Sequence, residues 1–440
     1  MQVVMRIAWF SPLPPVRSGI SAYSADLLPF LGRRAAIDVF DEHRAHDFVW
    51  KHGTRPYDLI VYQLGNSVCH EYQWAYLARY PGLVVLHDAQ LHQSRALSLL
   101  GRQRRGDYRR ELAFSHPQAP SGLADLIIAG LGGSLYYLWP MLGVVMTAAR
   151  IVAVHNDHLA GDLRDRFPAV PVQAIHMGVP AVPVDPSARD VILARHGIPP
   201  GALVFACYGK VTPEKRIGQV LRALARVSRL HAGAHLLLVG GTGDDYDVQR
   251  EAREAGVDGR VTLAGFVDEA ELPAYVQAAD VCVCLRWPTA GETSASWLRC
   301  LAAGKPTIVT SLVSMAGVPR LDPRSWSTVG DPACDPSNAD EAVCVSVDLL
   351  DEDRSLELAM IRLGSDRALR EHLGARARAY WRREHSLERM LEDYERLMVR
   401  AIEAPIPDTS ALPPHFRDDA TGLARRLIAP LGVTVDFLSA

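Results

Sequence analysis

Cysteine is scarce: seven residues in 440, an odd number with no C-x-x-C pair among them. That excludes a disulfide framework and fits a reduced, cytoplasmic setting. Cys282 and Cys284 alternate inside an apolar run and are expected as buried strand thiols. An excess of positive charge is missing too. Lys and Arg total 47 against 50 Asp and Glu, a net charge of −3, which argues against nucleic acid as a partner. At the amino terminus Pro12, Pro14 and Pro15 break any long apolar core, so no secretory leader is expected. No dense acidic cluster stands out, and no metal or other cofactor is expected.

One uncharged run is long enough to question solubility. Residues 126–149 carry no charged side chain, and a spanning helix needs ~20 such residues. Gly130, Gly132, Gly133, Ser134 and Pro140 interrupt the run, and Tyr136, Tyr137 and Trp139 occupy its middle, where a bilayer favours them least. Buried helices beside a parallel sheet are the expectation. Upstream, Arg102, Arg104, Arg105, Arg109 and Arg110 form a basic cluster. It reads either as a solvated helix face or as a peripheral contact with the inner face of a membrane.

What is abundant is alternation. Short apolar runs at 3–10, 59–63, 83–86, 151–154 and 172–175 are separated by longer amphipathic stretches, one of them a helix over 19–31. Residues 180–186 hold three prolines and read as a linker. The pattern restarts with strands at 203–208, 236–239, 261–263, 281–285 and 307–310, and helices near 217–230, 247–255, 269–278 and 294–303. Such alternation means parallel sheets covered by helices. We expect an α/β protein of two doubly wound, Rossmann-like domains facing a central cleft, residues 1–180 and 181–384. A further helix is expected over 385–402. A Pro-rich linker and a short tail helix near 420–429 fill 403–440.

Ligands in these sheets bind beyond the carboxyl ends of the strands, and five such ends carry unusual chemistry. Ser18-Gly19-Ile20-Ser21 is a small-residue turn that lets backbone approach a diphosphate. Asn66 and His70 follow the second of these runs, and His87-Asp88 follows the third. In the second half Gly209-Lys210 ends a strand, and Lys215-Arg216 opens a helix, where cations oppose the dipole unless an anion is bound. The fifth end is Gly291-Glu292-Thr293-Ser294. Strand, turn and helix in that order put Glu292, Thr293 and Ser294 at a helix N-terminus suited to phosphate, or make them an ordinary cap.

These residues resemble the retaining family 4 glycosyltransferases of GT-B fold, over about residues 6–401, and the resemblance implies that the helix over 385–402 crosses back to the first domain. Gly209-Lys210 with Lys215-Arg216 is similar to the basic pair that contacts the donor diphosphate. Phe266 lies in a segment like the family's nucleotide-side strand end. The Glu292 turn matches the first glutamate of a paired-glutamate motif. Asn66, His70, His87 and Asp88 resemble acceptor-side elements of a subgroup. Two departures stand out: Lys210 replaces the usual arginine, and Arg299 takes the place of the second glutamate.

The resemblance implies sugar transfer from a nucleoside diphosphate sugar to a hydroxyl acceptor with retention, and no metal. Lys210 and Lys215 would stabilise the leaving diphosphate, Glu292 would orient the sugar, and His87 would stand near the reacting carbon. Gly19, Gly209, Arg216, Gly291, Thr293, Ser294 and Phe266 would complete the donor side. Asn66, His70 and Asp88 would face an acceptor, lipid-linked in one reading. Two alternatives remain: a nucleotide-sugar epimerase of the same architecture, and an inactive glycosyltransferase-like scaffold, which Arg299 favours. Donor sugar, base and oligomeric state are not legible.

Overall fold

The computed structural model describes residues 5–243, 246–329, 341–418 and 421–432. The chain divides into two compact units. Unit 1 comprises Met1–Val154, Leu159–Ala174 and Glu395–Ala440; unit 2 comprises His155–His158 and Ile175–Tyr394. The expected boundary near residue 180 thus falls at 174/175. The helix Leu387–Glu403 is divided between the units.

In unit 1 the strands are β1 (Arg6–Phe10), β2 (Ala36–Phe40), β3 (Leu59–Leu64), β4 (Leu83–Leu86), β5 (Ile151–Val154) and β6 (Val172–Ala174). They pair in the order β2-β1-β3-β4-β5-β6, every pair parallel. Val3 and Val4 of the expected first strand lie outside the described residues. β3, β4 and β5 are buried at every position. Strands covered on both faces need continuous apolar sequence, which is why these runs do not alternate. The chain leaves β1 towards β2 and returns on the other side to β3, so the carboxyl ends of β1 and β3 meet at a topological switch point.

In unit 2 the strands are β7 (Leu203–Tyr208), β8 (Ala234–Val239), β9 (Val261–Gly265), β10 (Val281–Cys284), β11 (Thr307–Thr310), β12 (Arg320–Leu321), β13 (Thr328–Val329) and β14 (Cys344–Val347). Their order is β13-β12-β14-β11-β10-β7-β8-β9, parallel except for β12 against β13. Here the switch lies between β7 and β10, paired through Phe205 with Val281 and Ala206 with Cys282. The helix Ile217–Leu230 shows why sequence dictates the layer. Ile217, Val220, Leu221, Leu224 and Val227 follow the helical repeat and are buried. Each such side chain contributes about 1.5–3 kcal/mol relative to exposure. Gly240 is demanded by close approach: its φ is +151°, and a Cβ there would stand 2.1 Å from the Gly209 carbonyl oxygen.

The uncharged run forms three short helices, Leu123–Ile128, Leu135–Leu138 and Gly143–Ala148. Only part of it is buried. Val144, Val145 and Met146 are core, whereas Leu131 and Leu138 are 64% and 69% exposed. Among the described residues no helix is long and apolar enough to cross a membrane. The basic cluster upstream is largely neutralised in place: Arg104 and Arg110 pair with Asp107, Arg109 with Asp125, and Arg102 with Glu71. Of the tail, the helix Gly422–Ile428 is described, while Ala420 lies outside the described residues.

Candidate active site

The switch point of unit 2 brings two loops together. β7 runs into Gly209, whose φ of +92° turns the chain, then into one tight turn, Pro213–Lys215. The Lys215 side chain reaches back over this glycine: a Cβ on Gly209 would stand 3.4 Å from Lys215 Nζ. β10 runs into Leu285 and Arg286, and the chain turns through Gly291 at φ +76°. It then enters the helix Ala295–Ala302, whose Ser294 cap accepts a hydrogen bond from Trp297 N at 3.3 Å.

Glu292 is fixed from several sides. Its Oε2 accepts from Thr289 Oγ1 at 2.8 Å and from Ala290 N at 2.7 Å. Its Oε1 pairs with Arg286 at 2.5 Å, and its side chain is only 9% exposed. Asn156 Nδ2 donates to the Gly291 carbonyl at 3.0 Å, and Thr293 Oγ1 donates to the His155 carbonyl at 3.0 Å. The turn is therefore held from outside as well as by its own cap.

A cavity of about 410 Å³ opens here, walled by Lys215, Cys284, Arg286, Thr289, Glu292, Thr293 and Ser294, with His155, His176 and His385 also on its wall. That volume falls in the range of ~300–1,000 Å³ typical of small-molecule sites. Burial pushes the Lys215 ammonium down to about 8, with the Arg286 charge acting in the same direction and Glu292 opposing. Burial likewise takes His155 and His385 down to about 4, so both are neutral at pH 7. His176 Nδ1 lies 2.6 Å from Asp393 Oδ2. The wall thus joins a costly buried cation, a second cation, one clamped carboxylate and the start of a helix.

Unit 1 gathers its own polar set at the carboxyl ends of β1, β3 and β4. Gly19 opens the helix Gly19–Leu31, with open space where a side chain would be. Asn66 N donates to Asp88 Oδ2 at 2.8 Å, and Asn66 Oδ1 accepts from Ser94 N at 3.0 Å. His87 Nε2 lies 2.8 Å from Gln63 Oε1 and its ring meets Tyr23 edge-on. His70 is buried, which takes it down to about 4, and its Nδ1 lies 3.4 Å from Gln73 Nε2. A Cβ on Gly65 would sit 3.0 Å from Asp88 Oδ2 and 3.5 Å from His70 Nε2, so these two groups flank one spot.

Residues 188–318 match the family model described as glycosyl transferases group 1. This segment is similar to a glycosyltransferase group 1 domain. The chain is 29% identical over 180 residues to a GDP-mannose-dependent alpha-(1-6)-phosphatidylinositol monomannoside mannosyltransferase of Mycobacterium tuberculosis, covering 39% of this chain and 46% of that one. The chain thus matches about half the length of that relative. Among solved structures, sucrose-phosphate synthase from Thermosynechococcus elongatus superposes with a TM-score of 0.61 at 16% identity, over 91% of this chain and all of that one. Anabaena HepE in complex with UDP and glucose gives 0.58 at 14% identity, over 90% of this chain and all of that one. These likenesses are of fold: two Rossmann-like domains of the GT-B type.

Within the matched segment, four expected residues, Lys215, Glu292, Thr293 and Ser294, share the cavity wall. Gly209 and Gly291 shape the loops beneath it. Three expected donor-side residues stand elsewhere. Arg216 is in the left-handed conformation at φ +57° and turns to Glu352, its Nε 2.9 Å and 3.0 Å from the two carboxylate oxygens. It holds the helix Glu352–Ser365 rather than an anion in the cavity. Lys210 is exposed and off the wall, because the chain has turned past it before Lys215 comes back. Phe266 is 46% exposed beyond β9 and is also off the wall. Arg299, in the place of the second glutamate, pairs with Glu269 at 2.6 Å. Sequence reasoning missed Arg286, Asn156 and the three histidines. Arg286 and Asn156 lie just past β10 and β5, so the strand-end rule applied evenly would have found them.

Proposed function

We propose that this chain is a retaining, metal-independent glycosyltransferase that moves a sugar from a nucleoside diphosphate sugar to a hydroxyl acceptor. The observation carrying this reading is the desolvated Lys215 sharing one cavity with Glu292 and the Ser294 helix start in a segment similar to a group 1 domain. As the bond from the anomeric carbon to the diphosphate breaks, the leaving group takes the bonding pair and negative charge builds on its oxygen. Lys215, Arg286 and the free N–H groups at the start of Ala295–Ala302 answer that charge, an electrostatic role that is preorganised before reaction. Glu292 accepts from sugar hydroxyls. In the same reading the polar set of unit 1, His87 with Asn66, His70 and Asp88, serves the acceptor side. A curated relative uses GDP-mannose and an HepE structure holds UDP, which supports a nucleoside diphosphate as the donor class.

Thermal-shift titration with UDP, GDP, ADP and TDP tests the donor side. One of them at 100 times its dissociation constant should add ~2.7 kcal/mol and raise the midpoint by several degrees. No shift with any of the four defeats the proposal.

For the acceptor we propose a compound with an apolar, lipid-like portion, because Leu97, Leu131 and Leu138 stand exposed in unit 1. Vesicles containing anionic lipid should co-float the protein, and Leu131→Glu with Leu138→Glu should abolish this. Flotation no greater than that of a soluble control removes the lipid part.

A further inference from the structure

In the arrangement seen, Glu292 has a single oxygen left for a sugar, and a cation stands in front of it. Its Oε2 already accepts two hydrogen bonds, from Thr289 Oγ1 and Ala290 N, and a carboxylate oxygen has about two lone-pair sites. Acceptor capacity towards the cavity therefore rests on Oε1, which is buried without a hydrogen bond while Arg286 pairs with it at 2.5 Å. The two partners differ in freedom. Glu292 is 9% exposed and triply held, whereas the Arg286 side chain is 36% exposed. The Arg286 backbone is anchored, its N–H donating to Thr310 Oγ1 at 2.9 Å, so the side chain moves about a fixed root. The pair also stands next to Lys215, a like charge. Two cations facing one carboxylate leave positive charge without a partner, and a diphosphate is the ligand that supplies the missing anion.

Resting on the donor-site reading above, we infer that Arg286 is a partner-switching positioning residue. In the empty cavity it stands against Glu292 Oε1 as an ion pair and neutralises that buried carboxylate, whose Oε1 has no hydrogen bond there. When a nucleoside diphosphate sugar enters, the guanidinium transfers to the diphosphate, where its planar fork suits phosphate oxygens. A sugar hydroxyl then donates to the vacated Oε1. The exchange replaces an ion pair with a hydrogen bond: Glu292 loses a guanidinium and gains a hydroxyl on its orphaned Oε1, and the diphosphate gains a second cation beside Lys215. Glu292 is thereby exposed to sugar only when a diphosphate is present, which couples recognition of the two halves of the donor. A free nucleoside diphosphate lacks the hydroxyl, so it must draw Arg286 away from Glu292 without replacement.

That asymmetry supplies the test. The full chain is titrated calorimetrically with UDP, GDP, ADP and TDP, and the best binder is carried forward to variants. Arg286→Ala should weaken that nucleotide roughly 10- to 100-fold, the scale of one charge-assisted contact, and Arg286→Lys should restore much of the loss. Glu292→Gln, which releases Arg286, should bind the free nucleotide several-fold tighter than wild type while sugar transfer collapses. Glu292→Asp, too short to reach Arg286, gives the same readout if the Gln variant fails to fold. If the Glu292 variants bind no tighter than wild type, Arg286 is a fixed clamp and this inference falls with the donor site intact. If wild type binds none of the four nucleotides, the donor-site reading itself falls.

Discussion

Lys215→Ala is expected to cut turnover by roughly 10²-fold or more at saturating donor, the scale of losing one preorganised group that meets developing charge. The same side chain should be a burden on the empty protein. Its folded pKa of about 8 lies below the ~10.4 of an unfolded lysine. Between those values the unfolded chain binds the proton more, so stability rises with pH through the window; the cost is fully present below pH 8. Lys215→Met should therefore raise the ligand-free midpoint at pH 7, by about 1 kcal/mol or more and so ~2–4 °C, while activity is lost. Nucleotide binding has the opposite sign. A diphosphate favours the charged ammonium, so binding should take up protons near pH 8 and weaken steadily above it. Calorimetry in buffers of differing ionisation enthalpy reads that uptake directly. Near-wild-type turnover in Lys215→Ala, or affinity flat from pH 7 to 9.5, would remove Lys215 from the diphosphate.

The largest loss of stability is expected from Arg95→Ala, in unit 1. Arg95 is buried, with Nε 2.7 Å and NH2 2.5 Å from the two oxygens of Glu111, which has no exposed surface. Its NH1 lies 3.0 Å from Glu71 Oε1, and the Trp74 ring lies 4.6 Å beneath the guanidinium. His415 approaches the same carboxylate at 2.6 Å. Removing Arg95 alone leaves Glu111 buried beside only a histidine, at a cost of about 3–5 kcal/mol. Replacing both, as in Arg95→Met with Glu111→Leu, should recover most of that, because the carboxylate no longer needs a partner. Chemical denaturation of the three proteins decides it: a single variant within 1 kcal/mol of wild type would mean that water or His415 satisfies Glu111.

Much of this is legible in the sequence. The apolar runs of β3, β4, β7, β10 and β11 are continuous because both faces are covered, and Ser294 caps a helix as its place in the sequence implies. β2 was missed since Asp38 breaks its run. β12, β13 and β14 were missed because two to four residues carry no period. Absence of charge was mistaken for burial in 126–149, where the structure exposes Leu131 and Leu138. The two lysines of the 210–215 loop look alike in sequence. Only the tight turn between them sends one into the cavity and leaves the other in solvent. Arg216 could not be resolved for a similar reason, since its partner Glu352 is 136 residues away.

Unit 1 is built from three stretches of chain, the last of them beginning at Glu395. Arg34 pairs with Glu395, Arg150 donates to the carbonyls of Ile402 and Ala404, Leu412 enters the core, and His415 reaches Glu111. On the ribosome these partners emerge hundreds of residues after the strands they complete. Nearly all of unit 2 is a single stretch, Ile175–Tyr394, synthesised earlier. The half that begins first is therefore finished last, and a nascent chain halted before residue 395 would carry its amino-terminal sheet with an open core.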